Sequence, residues 1–383
     1  MSWNSIIGQQ RVKNILQRAI LENRIAHAYC FWGQEGVGKE ALAIEFAKVV
    51  NCQKPIIKNN SIEKCGKCKS CINANKLQHQ KIDLIYPLPP GESTNTEKDS
   101  PLEAMSDAQI SEIREQVELK SANPYHKINL KKANQIKILS IRALKKKLIM
   151  SSGQDGRQFV LVFDADKMTN EASNAFLKQL EEPHDGITII MVTSRYELIL
   201  PTILSRCQKL HCPSISDEEL AQALIQIHQV SEVDARMITN FAQGSYTRAL
   251  QFMDERFTGL RREIVEVLRC TLKKREYRVE LLEKTEQLAK DNDKNSLEII
   301  LQMFIIWLRD ARSVELTNSD SFIINIDQFD TINRFVKNFG KKDIPSAINS
   351  IEKAILRLRR NVQPKIVLLA LFIEFRQIFL EEV

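Results

Sequence analysis

The sequence predicts an α/β domain built on a parallel sheet, followed by an all-helical region. Three observations carry that expectation. Short apolar stretches recur between helical patterns up to about residue 212, and a glycine-rich loop joins the first of them to an apolar helix. Beyond His211-Cys212-Pro213 the strand pattern stops and helical periodicity runs almost unbroken. The length of 383 residues suits two or three domains at ~100–200 residues each. A hydrophobic fraction of 43% and a charged fraction of 27% provide material for several cores, which excludes a disordered, collagenous or small disulfide-held chain. Apolar runs such as Ile366 to Phe372 fall short of the ~18 residues a membrane span needs. Met1-Ser2-Trp3-Asn4-Ser5 lacks the basic flank and apolar core of a signal peptide, so a cytoplasmic chain is expected.

Each element follows from its local pattern. Tyr29 to Trp32, Ile82 to Tyr86, Phe159 to Phe163 and Ile187 to Val192 read as buried parallel strands. Asn170 to Glu182 reads as a helix with Ala172, Ala175, Phe176 and Leu180 on one face and Pro183 ending it. From about 87 to 134 the pattern is interrupted by prolines, a polar stretch Gly91 to Thr96 and a mixed helical piece, Ala108 to Leu119. This reads as a surface insertion, partly flexible. Ser216 with Glu219 forms a capping box that opens a helix through about Gln229. Helical patterns continue at Glu232 to Phe241, Ser245 to Glu255, a long one near Leu260 to Leu288, Ser296 to Ala311, Ile344 to Arg359 and Pro364 to Leu380. Ser321 to Ile326 is the one stretch here that could be a strand. The expected division is therefore 1–212 for the α/β domain, 213–256 for a three-helix unit and 257–383 for a helical bundle. Ile299 to Leu308 and Ile366 to Phe375 are apolar nearly all round, which suits burial in that bundle and partly against other subunits.

Charge says little. A formal net charge of +7, from 55 basic and 48 acidic residues, permits nucleic-acid contact without requiring it. The runs Lys145-Lys146-Lys147, Lys273-Lys274-Arg275 and Arg357 to Arg360 lack interleaved aromatics and read as solvated helix faces.

Cysteine spacing says more. Cys52, Cys65, Cys68 and Cys71 give C-x12-C-x2-C-x2-C, with Gly66 easing the tight turn. Thiolates two residues apart converge on one tetrahedral Zn²⁺, and four close its sphere, so a structural zinc is expected. Cys30, Cys207, Cys212 and Cys270 have no partner spacing and read as buried or bystander thiols.

The first strand runs into Gly33-Gln34-Glu35-Gly36-Val37-Gly38-Lys39-Glu40 and then the apolar helix Ala41 to Val50. Gly33, Gly36, Gly38 and Lys39 match a P-loop, whose backbone N–H groups surround phosphate at a helix N-terminus. A working P-loop ends in Ser or Thr to coordinate Mg²⁺, and here Glu40 stands there, which repels phosphate unless it is paired. Asp164 ends the strand Val160 to Phe163 and suits the second metal ligand, but Ala165 occupies the place of the water-activating glutamate. Asp166 lies one residue further on and reads as a turn or cap carboxylate. The two losses together argue against hydrolysis.

These residues carry a resemblance. Ile7-Gly8-Gln9, His27-Ala28-Tyr29, the four-cysteine knot, the helix Asn174 to Pro183 and Leu200 to Cys207, with its Ser205-Arg206-Cys207 core, resemble bacterial clamp-loader subunits of the AAA+ class. The likeness covers about residues 3–82 and 136–250, while the C-terminal region agrees in helical character only. It implies an AAA+ α/β domain with a zinc module at 52–71, a three-helix lid and a helical collar. It also implies a DNA polymerase III holoenzyme subunit that assembles with gamma/tau motor subunits and a delta subunit in a hetero-pentamer, serving a sliding clamp on primed DNA. The motor members keep the P-loop hydroxyl, an Asp-Glu pair and a Gly-Ser-x-Arg pattern; here Thr247 takes the arginine's place in Gly244-Ser245-Tyr246-Thr247-Arg248. All three departures fit a member that does not hydrolyse ATP, with ATP bound by its partners. The resemblance further implies that Arg206 is an arginine finger reaching a neighbour's ATP, and it places Thr193-Ser194 where related ATPases sense the γ-phosphate. Two rival readings are an active motor, with Lys39 on phosphate and Asp164 alone on Mg²⁺, and a sequence-independent DNA-binding module.

Overall fold

Seven strands order the first part of the chain: β1 (Ala28–Trp32), β2 (Ile56–Lys58), β3 (Ser61–Glu63), β4 (Ile82–Ile85), β5 (Gln158–Val162), β6 (Ile187–Thr193) and β7 (Gln208–His211). The structure is a computed structural model that describes all residues except 1, 59–60, 92–100, 151–155, 182–184, 254, 320–322 and 381–383. Five strands form one parallel sheet in the order β4-β5-β6-β1-β7. The register sets Cys30 beside Met191, Val160 beside Ile189 and Leu84 beside Leu161. Both faces are covered, as unbroken apolar strands require. On one face Tyr29, Phe46 and Phe159 meet edge to face, with centroids 5.7 and 5.5 Å apart. On the other, Cys30, Val160, Val162 and Met191 pack with Phe176 and Leu180 of the helix Asn170–Glu181. The expected end of that helix, Glu182 and Pro183, lies outside the described residues, as does most of the polar stretch 91–96.

Four elements here were not legible. β7 has a single buried residue, Leu210, because it is an edge strand, and it carries no apolar run. β2 and β3 form a small antiparallel hairpin, and Ile138–Met150 is a helix whose buried face is Ile141, Leu144 and Leu148. In the expected surface insertion, partly flexible, the mixed helical piece is the helix Asp107–Ala122, largely at the surface, while the chain from its end onward packs inward, burying Lys120, Tyr125 and Leu130.

The chain divides into two compact units, Met1–Val230 with Ala242–Arg248, and Ser231–Phe241 with Ala249–Val383. The second is helical throughout its described secondary structure, with Glu255–Thr271, Tyr277–Asp291, Lys294–Thr317, Phe329–Phe339, Ile344–Arg359 and Pro364–Leu380. Its centre is aromatic: Trp307, Phe335 and Phe379 follow at 5.1 and 5.5 Å, with Phe304, Phe372 and Phe375 beside them. The expected single helix from Leu260 to Leu288 is in fact broken after Thr271. The Arg376 guanidinium takes the Thr271 and Lys273 carbonyls, so a distant side chain caps a helix that the local pattern would continue. Ser321 to Ile326 is no strand in its described part: Asp310 accepts from the Ile324 and Asn325 N–H groups at 3.0 and 2.8 Å, and a 3-10 turn, Ile326–Gln328, follows. The basic side chains of the three runs are exposed, the first and third runs on helices and the second between two helices. Among the described residues no helix is long and apolar enough to cross a membrane.

Candidate functional site

The loop between β1 and the helix Lys39–Val50 turns through positive φ at Gly33, Gly36 and Gly38. At Gly36 the reason is close approach as well as φ: a Cβ there would come 2.1 Å from Ser245 Oγ. Lys39 is 5% exposed, and its ammonium donates to Gly33 O (2.8 Å), Gln34 O (2.6 Å) and Ser194 Oγ (3.1 Å). Its three donors are spent on the protein itself, and burial draws its pKa below the ordinary lysine range. The structure thus brings Ser194 to Lys39, while Thr193 Oγ1 donates to Asp166 at 2.7 Å. Asp166 braces a turn, in keeping with its bland reading.

Three acidic side chains surround the cradle, and each meets a lysine. Glu40 is paired with Lys120, which is 1% exposed and also donates to Pro124 O and His126 O, both at 2.7 Å. Glu35 accepts from Lys127 at 2.6 Å. Asp164 lies 2.8 Å from Lys167 and 3.6 Å from Lys127. Burial works against the charge on Asp164 and Glu35, but the nearby ammonium groups together outweigh it, Lys127 and Lys167 at Asp164 and chiefly Lys127 at Glu35, and hold both carboxyls below the usual range. Between Lys120 and Lys127, Tyr125 covers the loop. Its hydroxyl accepts from Ile7 N–H at 2.8 Å, and a Cβ on Gly38 would lie 3.0 Å from the same oxygen. The space left among these groups is about 50 Å³, room for one or two waters. Small-molecule sites need ~300–1,000 Å³. Glu40 in place of a hydroxyl, lysines on the acidic groups and a tyrosine over the loop do not fit a nucleotide with its metal.

Lys120, Tyr125 and Lys127 were missed by sequence reasoning. The one available signal was Glu40: a carboxylate at a helix start beside phosphate-binding N–H groups calls for a partner. Nothing in the lysine-rich stretch after it singles out which lysine that is.

The cysteines converge as their spacing requires. Cys68 caps the helix Lys69–Asn75, Gly66 takes a left-handed φ of 72°, and N–H groups of Cys65, Cys68 and Cys71 point at the sulfurs of Cys52, Cys65 and Cys68 at 3.2–3.4 Å. Backbone N–H groups of Lys67 and Cys68 pull the Cys65 thiol down to about 6, which favours the thiolate a metal takes. All four thiols are free of disulfides, and their sulfurs lie within 4.8 Å of one another. A tetrahedral zinc with bonds of ~2.3 Å needs sulfurs roughly 3.8 Å apart. The donor set fits a structural Zn²⁺. Cys30, Cys207 and Cys212 are buried and pushed up to about 12, chiefly by that burial, and Cys270 is buried too.

Arg206 is not among the residues that line the P-loop cavity. It follows the short helix Pro201–Leu204, and its half-exposed guanidinium reaches Glu181 at 2.9 Å and Thr202 O at 2.8 Å.

The five-stranded parallel sheet with a P-loop turn after β1 defines an α/β chain of the P-loop class, followed by a helical second unit. A profile of the family described as DNA polymerase III, delta subunit matches residues 8–216, and one described as DNA polymerase III, delta subunit, C terminal matches residues 259–377. The chain belongs to this clamp-loader family. The DNA polymerase III subunit delta' of Bacillus subtilis is 23% identical over 363 residues, covering 94% of each chain. Subunit delta' of Pseudomonas aeruginosa is 23% identical over 344 residues, covering 89% of this chain and 87% of its own. Subunit tau of B. subtilis is 26% identical over 258 residues, covering 66% of this chain and 37% of its own. The likeness to the delta' subunits thus runs nearly end to end, and the likeness to tau does not.

Proposed function

We propose that this chain is the non-hydrolysing, delta'-type subunit of a DNA polymerase III clamp loader, a stator that helps place the sliding clamp on primed DNA. The observation that carries the reading is position 40. A hydroxyl has to ligate Mg²⁺ there in a working P-loop, and here a carboxylate is bound to the buried Lys120. Ala165, in place of the base, supports the same conclusion. The cytoplasmic assembly would comprise this chain, gamma/tau motors and a delta subunit. Residues 1–212 would act as the AAA+ domain, 213–256 as the lid and 257–383 as the collar.

In that assembly Arg206 acts in trans. A guanidinium delivered to a neighbour's ATP adds positive charge to a developing phosphoryl transition state, and its planar fork suits phosphate oxygens. Support comes from its half-exposed position and from Glu181 and Thr202 O, which hold it away from its own chain's P-loop. The test is an Arg206→Ala chain reconstituted with motor and delta subunits, clamp and primed DNA. ATP hydrolysis and clamp loading should fall by ~10-fold or more, with assembly intact. Normal loading by that complex would sink the reading.

A further inference from the structure

We infer that the segment Lys120–Lys127 is a permanent internal ligand of the P-loop cradle, filling the place of nucleotide and metal and holding this unit in one closed form without either. The inference goes beyond the stator reading, which requires only that ATP is not hydrolysed here.

Charge is the first argument. A P-loop site gathers carboxylates and backbone dipoles that a divalent cation and a polyphosphate normally balance. Here the segment supplies ammonium groups to all three carboxylates: Lys120 meets Glu40, and Lys127 lies 2.6 Å from Glu35 and 3.6 Å from Asp164, which Lys167 also meets at 2.8 Å. Glu40 stands at the position of the lost metal-ligating hydroxyl, and Asp164 would be the other ligand. Both positions at which a working P-loop site holds a metal are therefore paired from within.

Shape is the second. Lys120 is enclosed, with three acceptors for its three donors: Glu40 and the carbonyls of Pro124 and His126. A lysine this buried and this fully satisfied is a fixed part of the fold rather than a passing contact. Tyr125 lies against Gly38, and the remaining space of about 50 Å³ admits one or two waters.

Connection is the third. The segment reaches several separate parts of the unit around the loop. Tyr125 OH holds Ile7 N–H at 2.8 Å, Lys127 holds the end of β5 through Asp164, and Thr247 Oγ1 donates to Tyr125 O at 3.4 Å. Tyr125 also packs edge to face on Tyr246 with centroids 4.6 Å apart, and Tyr246 N–H donates to Gly36 O at 3.0 Å. The N-terminal segment, the loop, the strand end and the pair Tyr246–Thr247 are thus joined through one stretch of chain.

Hydrogen exchange on the full-length chain tests this, with and without millimolar ATP and Mg²⁺. In the wild type, exchange over Gly33–Lys39 and Tyr246–Phe252 should be slow and unaltered by ATP. Lys127→Ala should speed both stretches by about tenfold, while Lys127→Arg should leave them near the wild type. Two results would overturn the inference. One is slower loop exchange on adding ATP with faster exchange over 120–127, which would make the segment a displaceable lid. The other is an unchanged loop in Lys127→Ala. Should Lys127→Ala fail to fold, the wild-type arm with ATP decides alone. Arg206 has no part in these readouts, so a failure of the stator reading would leave them standing, and the reverse holds too.

Discussion

The first unit contains two cradles built by similar means, and they have met opposite ends. Each uses glycine turns and short spacing to aim several donors at one point. At the cysteine cluster, four sulfurs within 4.8 Å face one another. At the P-loop, three carboxylates face lysines of the chain itself. The difference follows from chemistry. A carboxylate can be satisfied by a lysine, which any nearby segment can supply and which costs no change of fold. Four thiolates crowded together repel one another, and no side chain neutralises all of them at once, so they need a metal. A phosphate cradle can therefore be closed off by substitution, whereas a four-cysteine site keeps its ligand or is lost.

The largest effect expected from that contrast is metal removal. Zinc held by four thiolates supplies on the order of 10 kcal/mol of apparent folding free energy locally. The purified chain should carry one zinc, and a strong chelator should remove it and unfold residues 52–75, read as loss of amide protection there. Protection at β4 to β6 should largely persist, since the P-loop side rests on lysine pairs rather than on a metal. A module that stays protected after zinc is stripped would break the comparison.

Next comes the buried pair. Lys120→Met leaves Glu40 without its partner beside the loop, and breaking such a pair costs ~3 kcal/mol, the lower end of the usual span because Glu40 is 20% exposed. Replacing both residues together, Lys120→Met with Glu40→Met, should recover most of that loss, since no uncompensated charge remains. Denaturant midpoints of the two variants decide the point. A loss under ~1 kcal/mol in the single variant would mean that the pair does not hold the segment in place.

How far these features were legible depends on how local their causes are. Four of the five sheet strands, the P-loop and the cysteine knot rest on composition and spacing within a few residues, and the sequence shows them. The edge strand β7 draws its place from pairing with β1, not from its own four residues. The break after Thr271 rests on Arg376, and the burial of Lys120 rests on Glu40; each pair is separated by 80 residues or more. Glu40 was visible as an anomaly, and its partner was not, because long-range ion pairing leaves no periodic trace. Asp310 shows the same limit on a smaller scale, organising Ile324 and Asn325 from a helix earlier in the chain.

The smallest effect sharpens the charge side of the comparison. Against the pull of burial, Asp164 and Glu35 have folded pKa values held below the ordinary carboxylate range, by Lys127 at both and by Lys167 as well at Asp164. A group depressed in this way contributes stability above its unfolded pKa of roughly 4, and the contribution is lost as pH falls through the folded value. Lys127→Met should therefore lower stability near neutrality by about 1 kcal/mol, a modest figure because Lys127 is 38% exposed and screened by solvent. The gap between wild type and variant should begin to narrow below roughly 4 and close only once pH has fallen through the depressed wild-type values, where the carboxylates protonate in both chains. Denaturation midpoints across a pH series from neutral to acid measure that gap. A gap that stays constant down to the acid end would assign the effect to the packing of the Lys127 methylenes, and Asp164 would then owe its ionisation to Lys167 instead.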